Sequence, residues 1–305
     1  MASILVFGSS CVDVIVKLDH LPVTEEDMHV SSQQFRVGGC AYNVANVLGK
    51  AGGEVVFVTP VGLRGLYGPF VLKELEKQNW VRPVRITAAE NGCCYCLVER
   101  GGERTFLSLH GVEYTFSPTW MEPYAKTAFD FVYVSGLEVE ERSGEALTDW
   151  LQGLKGPRIF YAPGPRVGTI PKERQDRILS MQPVLHLNAA EAMRLADCRH
   201  AEQAAMKLHG RTGEVVVVTL GAQGAVGVDR TGTLCTVPGE VSGEVIDTIG
   251  AGDTHAGTVL LGLSRGWDLR TTLKAANRVA ARVVSVEGST LRAEEIREAE
   301  AVVRE

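Results

Sequence analysis

The segment Asp247-Thr248-Ile249-Gly250-Ala251-Gly252-Asp253 sets two glycines and a carboxylate at the opening of an apolar run with helical spacing. Glycines there let the backbone approach a ligand. The N–H groups of a first helical turn have no intrahelical acceptor, and the helix dipole favours negative charge beside them. Gly250, Ala251 and Gly252 are therefore an expected anion hole, suited to charge developing on a transferring phosphoryl group. Asp253, in the first turn, is placed to accept the proton of an attacking hydroxyl. A plainer reading also fits: a favourable first-turn acid after a tight glycine turn. Two other chemistries lose ground. The next glycine is Gly257, so the dinucleotide pattern Gly-x-Gly-x-x-Gly is not met, and the lysine and Ser/Thr ending of a P-loop is missing.

Other residues invite chemical readings. Asn188 and Glu191, three apart, make a capping pair for a helix over Ala189–Ala196. Cys93-Cys94-Tyr95-Cys96 has metal-ligand types but lacks a second cluster or nearby histidines, and reads as a half-buried strand using cysteine as a small apolar residue.

The elements that must position these groups alternate. Apolar, β-branched runs at Ile4–Phe7, Val55–Val58, Phe131–Val134, Arg158–Tyr161, Val184–Leu187 and Val215–Thr219 are unbroken, as in strands buried on both faces of a parallel sheet. Helical patterns at Ala41–Ala51, Pro69–Gln78, Gly144–Leu154, Ala189–Ala196 and Ala201–Gly210 separate them. This alternation predicts a three-layer α/β fold with a central, mostly parallel sheet. Two segments break the rhythm. Residues 12–37 alternate without a helix, and 92–110 read as a hairpin turning at Gly101-Gly102-Glu103. Both are expected as antiparallel strands inserted into the core and paired into a small β-sheet lid over a cleft. A further hairpin, Gly224–Asp229 with Thr233–Val237, precedes helices at Ala251–Arg265, Thr271–Val286 and Ala293–Val303. No linker or repeat interrupts residues 1–305, so one domain plus its lid is the expectation.

The chain has 305 residues, 45% hydrophobic and 22% charged, with a net charge of −6. That is ordinary soluble composition, and the charge argues against nucleic acid as a partner. The N-terminal apolar run is too short for a signal or a membrane span, and seven irregularly spaced cysteines form no disulfide framework, so no membrane partner and a cytoplasmic location are expected.

The run Asp247–Thr254 resembles the signature of the ribokinase-like (PfkB) carbohydrate kinases. Gly38-Gly39-Cys40-Ala41-Tyr42-Asn43-Val44-Ala45 resembles the family's other signature, at the expected distance. Gly8–Asp13, Asn188–Glu191 and Thr219–Gly224 match further elements in order, so the resemblance spans nearly the whole chain. It implies the ribokinase-like α/β/α fold, ATP and magnesium. By resemblance Asp253 is the base, with Gly250, Ala251 and Gly252 as the anion hole. Asp13, Gly38, Gly39 and Asn43 hold substrate hydroxyls, a carboxylate and an amide giving paired acceptors and donors. Asn188 and Glu191 organise magnesium, Glu191 through water. Thr219, Gly221 and Gly224 form the nucleotide-side loop, and Asn277 lines the adenine pocket. Asp247 and the Gly288-Ser289 region are placed where some branches bind a monovalent cation such as potassium, although Ile249 departs from the usual small residue. Plainer readings stand beside several of these: a turn residue for Asp13, a helix-start residue for Asn43 and a solvated helix asparagine for Asn277.

Gly102–Phe106, Pro163–Arg166 and His255 look shared with a poorly characterised sugar-kinase branch. His255 reads as a packed core residue with one satisfied nitrogen. Arg104 either reaches the cleft or decorates a lid strand, and Arg166 either meets a phosphate or caps a loop. Glu138, at the C-terminal edge of the sheet, is a candidate substrate contact or part of a solvated acidic face with Glu140 and Glu141. The activity implied is transfer of the ATP γ-phosphoryl group to a hydroxyl, the primary one of a sugar or sugar derivative. The alternatives are a nucleoside kinase of the same fold and a non-catalytic sugar or nucleotide sensor. A homodimer through the lids is the expected assembly.

Overall fold

The computed structural model describes residues 3–240, 243–286 and 288–301. The chain opens with β1 (Ser3–Phe7), β2 (Cys11–Lys17), β3 (Ser32–Gly38), α1 (Cys40–Lys50), β4 (Glu54–Arg64) and α2 (Tyr67–Leu75). Then come β5 (Val81–Glu90), β6 (Cys93–Val98), β7 (Arg104–Leu109), β8 (Phe131–Ser135), α3 (Gly136–Glu140), α4 (Gly144–Gly153) and β9 (Arg158–Ala162). They are followed by α5 (Lys172–Ser180), β10 (Val184–Asn188), α6 (Ala189–Ala196), α7 (Ala201–Thr212) and β11 (Val216–Thr219). The hairpin β12 (Gly224–Val228) and β13 (Leu234–Pro238) leads to α8 (Ala251–Ser264), α9 (Leu269–Val283) and α10 (Ala293–Ala301). The helix expected over Ala293–Val303 is thus seen to Ala301, and Val302 and Val303 lie outside the described residues.

Nine strands form one sheet in the order β13-β12-β11-β10-β9-β8-β1-β4-β5, antiparallel only at the β11–β12–β13 edge. Alternate residues of each interior strand feed opposite layers. Ile4 and Val6 pack in one core with Leu48, Leu260 and Leu273 from α1, α8 and α9. Leu5 and Phe7 pack in the other with Leu147, Ile178 and Leu208 from α4, α5 and α7. This two-sided burial is why the strand sequences read as continuous apolar runs. The architecture is the three-layer α/β/α fold expected.

The lid is a second sheet of four strands in the order β3-β2-β6-β7. Its two halves are antiparallel hairpins, as expected, but they join through a parallel pairing of β2 with β6. β5 is absent from the periodic signals because it is an edge strand rich in charge and interrupted by Pro83. An edge strand tolerates proline because one side of it donates to no neighbour.

Candidate active site

α8 starts where the backbone turns left-handed at Gly250, φ 76°. A side chain there would be strained and would place a Cβ 2.6 Å from that of Ser289. The turn lays the first N–H groups of α8 along a cleft of about 430 Å³ at the C-terminal ends of the strands, roofed by the lid. Gly250, Gly252 and Asp253 line this cleft, whereas the Ala251 N–H turns back to the Thr248 carbonyl at 3.3 Å.

The cleft gathers most of the expected residues. Asp13, Gly39, Asn43, Asn188, Glu191 and Thr219 line it with Asp253. Asn43 Nδ2 donates to Asp253 Oδ2 at 2.9 Å, and Ser289 Oγ donates to Asn43 Oδ1 at 3.0 Å, so the amide is oriented from both ends. Burial lifts the Asp253 carboxyl above its ordinary range, while hydrogen bonds from Asn43 and Cys40 oppose the rise. A carboxylate so raised is a better proton acceptor than a solvated one. Asp13 is pushed up to about 7 by burial first, then by Cys94 and Asp253.

The glycine pair before α1 has a steric reason. A Cβ on Gly38 would fall 2.0 Å from Asp13 Oδ2, and one on Gly39 (φ 109°) would fall 2.7 Å from the Ser9 carbonyl oxygen. Gly38 does not line the cleft itself. It makes room for Asp13.

On the opposite wall, Asn188 and Glu191 form a complete capping box. Glu191 N–H donates to Asn188 Oδ1 and Asn188 N–H to Glu191 Oε2, both at 2.9 Å, and Asn188 Nδ2 donates to Glu191 Oε1 at 2.8 Å. Burial raises the Glu191 carboxyl. Gly221 and Gly224, with φ of 60° and 100°, bracket the turn that follows Thr219, outside the cleft lining.

Four expectations need correction. Glu138 neither contacts the cleft nor sits on a solvated face. It is fully buried, accepting from Ser9 N–H at 2.8 Å and from the Ser135 hydroxyl at 2.5 Å, and holds the β1–β2 turn to β8. Arg104 does not line the cleft. Its guanidinium meets Asp247 Oδ1 at 3.1 Å, the Thr248 hydroxyl at 3.0 Å and the Ile246 carbonyl at 3.3 Å. Asp247 is consequently a poor fit for a monovalent cation: Oδ1 also accepts from Ile249 N–H at 2.8 Å, Oδ2 accepts from Gly288 N–H at 3.1 Å, and the positive charge is already supplied. Ser289 is likewise committed to Asn43.

Asn277 is the fourth. It is buried rather than solvated, and it faces inward. Its Nδ2 donates to the carbonyls of Val237 at 3.2 Å and Pro238 at 2.9 Å. That orientation leaves Oδ1 to accept from His255 Nε2 at 3.1 Å, so His255 Nδ1 accepts from His186 Nε2 at 2.9 Å. Both rings are held neutral by burial, His255 lowered to about 4 and His186 well below its usual value. His255 is a core residue with both nitrogens satisfied. His186 lines the cleft and was not singled out from the sequence, because a histidine inside a strand carries no pattern of its own. Arg166 also lines the cleft and pairs with Glu140 at 3.2 Å.

Over residues 1–296 the sequence matches the description "pfkB family carbohydrate kinase", and the chain belongs to this family. It is 33% identical over 293 residues to an uncharacterized sugar kinase, YegV, of Escherichia coli K12, covering 94% of this chain and 89% of that protein. The fold matches a ribokinase from Thermotoga maritima with a TM-score of 0.83 at 20% identity, over 98% of this chain and 99% of that one. A nucleoside kinase from Methanocaldococcus jannaschii matches with a TM-score of 0.80 at 17% identity, over 99% of both chains. No helix among the described residues is long and apolar enough to cross a membrane.

Proposed function

We propose that the protein transfers the γ-phosphoryl group of ATP to a hydroxyl of a small sugar or sugar derivative, the primary CH2OH being the acceptor. The observation that carries this reading is the juxtaposition at the start of α8: a buried, raised carboxylate, Asp253, beside first-turn N–H groups at Gly250 and Gly252.

Asp13 and Asn43 orient the substrate by its other hydroxyls. Asp253 takes the proton of the attacking hydroxyl as the new O–P bond forms, and the bond to ADP breaks with its electrons leaving on the ADP oxygen. The helix N-terminus stabilises the charge on the group in flight. Asn188 and Glu191 fit a magnesium–nucleotide complex held through water: each Glu191 oxygen takes one donor from Asn188, which leaves lone pairs free. Magnesium, when bound, neutralises phosphate charge. The lid excludes water, which would otherwise compete for the phosphoryl group.

A sugar is favoured over a nucleoside because the Asp13 end of the cleft is lined by the small side chains of Cys11, Cys94 and Ser108, with Tyr114 beside Cys11 and Phe106 as its lid aromatic. Tyr95 points from the other face of the lid toward Tyr67, its hydroxyl 3.5 Å away. Phe106, half exposed above the cleft, is the feature that keeps a nucleobase in contention. A homodimer closed through the lids belongs to the same proposal: β7 is an edge strand whose Leu107 and Leu109 are exposed.

Substrate-dependent ADP release from magnesium-ATP, across pentoses, hexoses, sugar acids, sugar phosphates and nucleosides, tests the reading. Turnover with a sugar, lost in Asp253→Asn, is the expected result. Turnover with nucleosides alone selects the second reading, and silence across the panel in a folded, ATP-binding protein refutes catalysis on these substrates.

A further inference from the structure

The Cys-Cys-Tyr-Cys run lacks a second half in sequence, but the fold supplies one. β2 runs parallel to β6 with Asp13 opposite Cys94 and Ile15 opposite Cys96. Strand alternation puts Asp13, Cys94 and Cys96 on one face of the lid, while Cys93 is turned into the core. The Sγ atoms of Cys94 and Cys96 are 3.9 Å apart. With an Asp13 carboxylate oxygen, all three ligand atoms lie within 4.8 Å of one another.

These separations are close to those of a metal-bound set. Two Zn–S bonds of ~2.3 Å at the tetrahedral angle put the sulfurs about 3.8 Å apart, so the thiols need no rearrangement. With a Zn–O bond of ~2.0 Å, oxygen and sulfur stand about 3.5 Å apart, so the carboxylate has to close in by at most about 1.3 Å, within reach of a side-chain torsion. Asp13 and Cys94 line the cleft, which gives an ion a path from solvent and a free coordination position. Simple packing of small residues accounts for Cys93. It does not account for a buried thiol, Cys96, converging with the cleft-lining Cys94 thiol and Asp13 carboxylate.

We propose that Asp13, Cys94 and Cys96 form a site for a thiophilic divalent cation of the zinc class, at the substrate end of the cleft, where metal and acceptor substrate exclude each other. The two sulfurs bind as thiolates and their protons pass to solvent. Three protein ligands leave a position for water, the arrangement of an open site rather than a closed structural one. Occupancy is thus reversible and removed by chelators. Exclusion follows because the ion and its bound water would fill the space beside Asp13 and Cys94 in the cleft that a substrate hydroxyl would enter. That consequence rests on the proposed function, whereas metal binding does not.

Titration of the reduced protein with Co2+ tests the site without turnover. The expected result is one equivalent bound with thiolate-to-cobalt charge-transfer absorption, displaced by Zn2+. The band should be lost in Cys94→Ser and Cys96→Ser and retained in Cys198→Ser. Asp13→Asn should keep the band but bind Co2+ at least tenfold more weakly. If either serine variant fails to fold, alkylation of Cys94 by iodoacetamide in the unmodified protein, read by mass spectrometry, replaces it, with at least tenfold protection by Zn2+ expected. No band in the unmodified protein, a band indifferent to both serine variants, or equal alkylation with and without Zn2+ overturns the site. Once a substrate is known, Zn2+ inhibition that is not competitive with it overturns the exclusion alone.

Discussion

Replacing Arg104 with alanine should cripple the protein in a way that a monovalent cation repairs. The guanidinium is carried by the lid strand β7, yet its partners are three consecutive residues, Ile246, Asp247 and Thr248, just before the left-handed turn at Gly250. The ion pair is 3.1 Å long and mostly buried, with side-chain exposures of 15% for Arg104 and 8% for Asp247. Breaking a buried pair from one side costs ~3–5 kcal/mol. Asp247 keeps the Ile249 and Gly288 N–H donors, which lowers the figure to about 2–3 kcal/mol. At 1.36 kcal/mol per decade, that is about 30- to 150-fold in the population of the lid-closed state. Activity in Arg104→Ala should fall by that factor in sodium- and potassium-free buffer. Added potassium should recover at least about tenfold by replacing the lost charge beside Asp247, with choline as the ionic-strength control. The parent protein should be indifferent to potassium. Hydrogen exchange at the β7 amides gives a readout that needs no substrate: it should quicken in Arg104→Ala and slow again with potassium. A parent protein that itself requires potassium, or an alanine variant with unchanged lid exchange, refutes the reasoning.

Four further outcomes are expected. Asp253→Asn should lower kcat by at least about 100-fold with ATP affinity nearly unchanged, checked by single-turnover kinetics and calorimetry. Gly38→Ala should raise the KM for the acceptor at least about tenfold with little change in kcat or Tm, because the added methyl meets the end of the Asp13 side chain, whereas Gly39→Ala should lower Tm because it meets backbone at positive φ. Asn277→Ala removes the acceptor of His255 Nε2–H and the amide donor to two carbonyls of the β13 edge, so it should cost about 3 kcal/mol, near 5 °C in Tm, and change ATP affinity less than a base contact would. The Asp13 carboxyl is raised to about 7, above its value in the unfolded chain. Its contribution to stability is therefore fully present below pH ~4 and is lost as pH rises to ~7, by at most about 4 kcal/mol. Asp13→Asn should flatten the loss in urea titrations run from pH 4 to 8, and acceptor binding by Asp13 should strengthen over the same interval.

The sequence was informative where a requirement is local. A glycine at a left-handed turn, a capping pair three residues apart and β-branched runs buried on both faces each leave a mark within a few positions. Gly250, Asn188 with Glu191, and the interior strands were legible for that reason. What stayed hidden depends on pairing across the chain. Glu138 and Glu140 look alike in sequence, but only Glu138 sits beneath the β1–β2 turn, where its carboxylate satisfies Ser9. Arg104 and Asp247 are far apart in sequence and carry no shared pattern, so the ion pair that occupies Asp247 could not be read there. Asn277 had the type of a ligand-binding residue and the position of a solvated one. Its geometry is neither, because β13 and His255 occupy all its polar groups.

These distant pairings also explain how the lid and the base are connected. Arg104 holds Asp247, and Asp247 holds Ile249 and Gly288 by their N–H groups. The neighbour of Gly288, Ser289, orients Asn43, and Asn43 donates to Asp253. Every link is an ion pair, a hydrogen bond or a peptide unit, so displacing the lid strand should perturb either the 246–250 loop or the amide that holds Asp253. In the proposed function, a base raised by burial gains from such coupling. Burial is what raises the Asp253 carboxyl, so any opening of the lid that admits water to it would lower its basicity. If Asp253 acts as the proposed base, the guanidinium of Arg104 thereby links the position of the lid strand to the strength of that base.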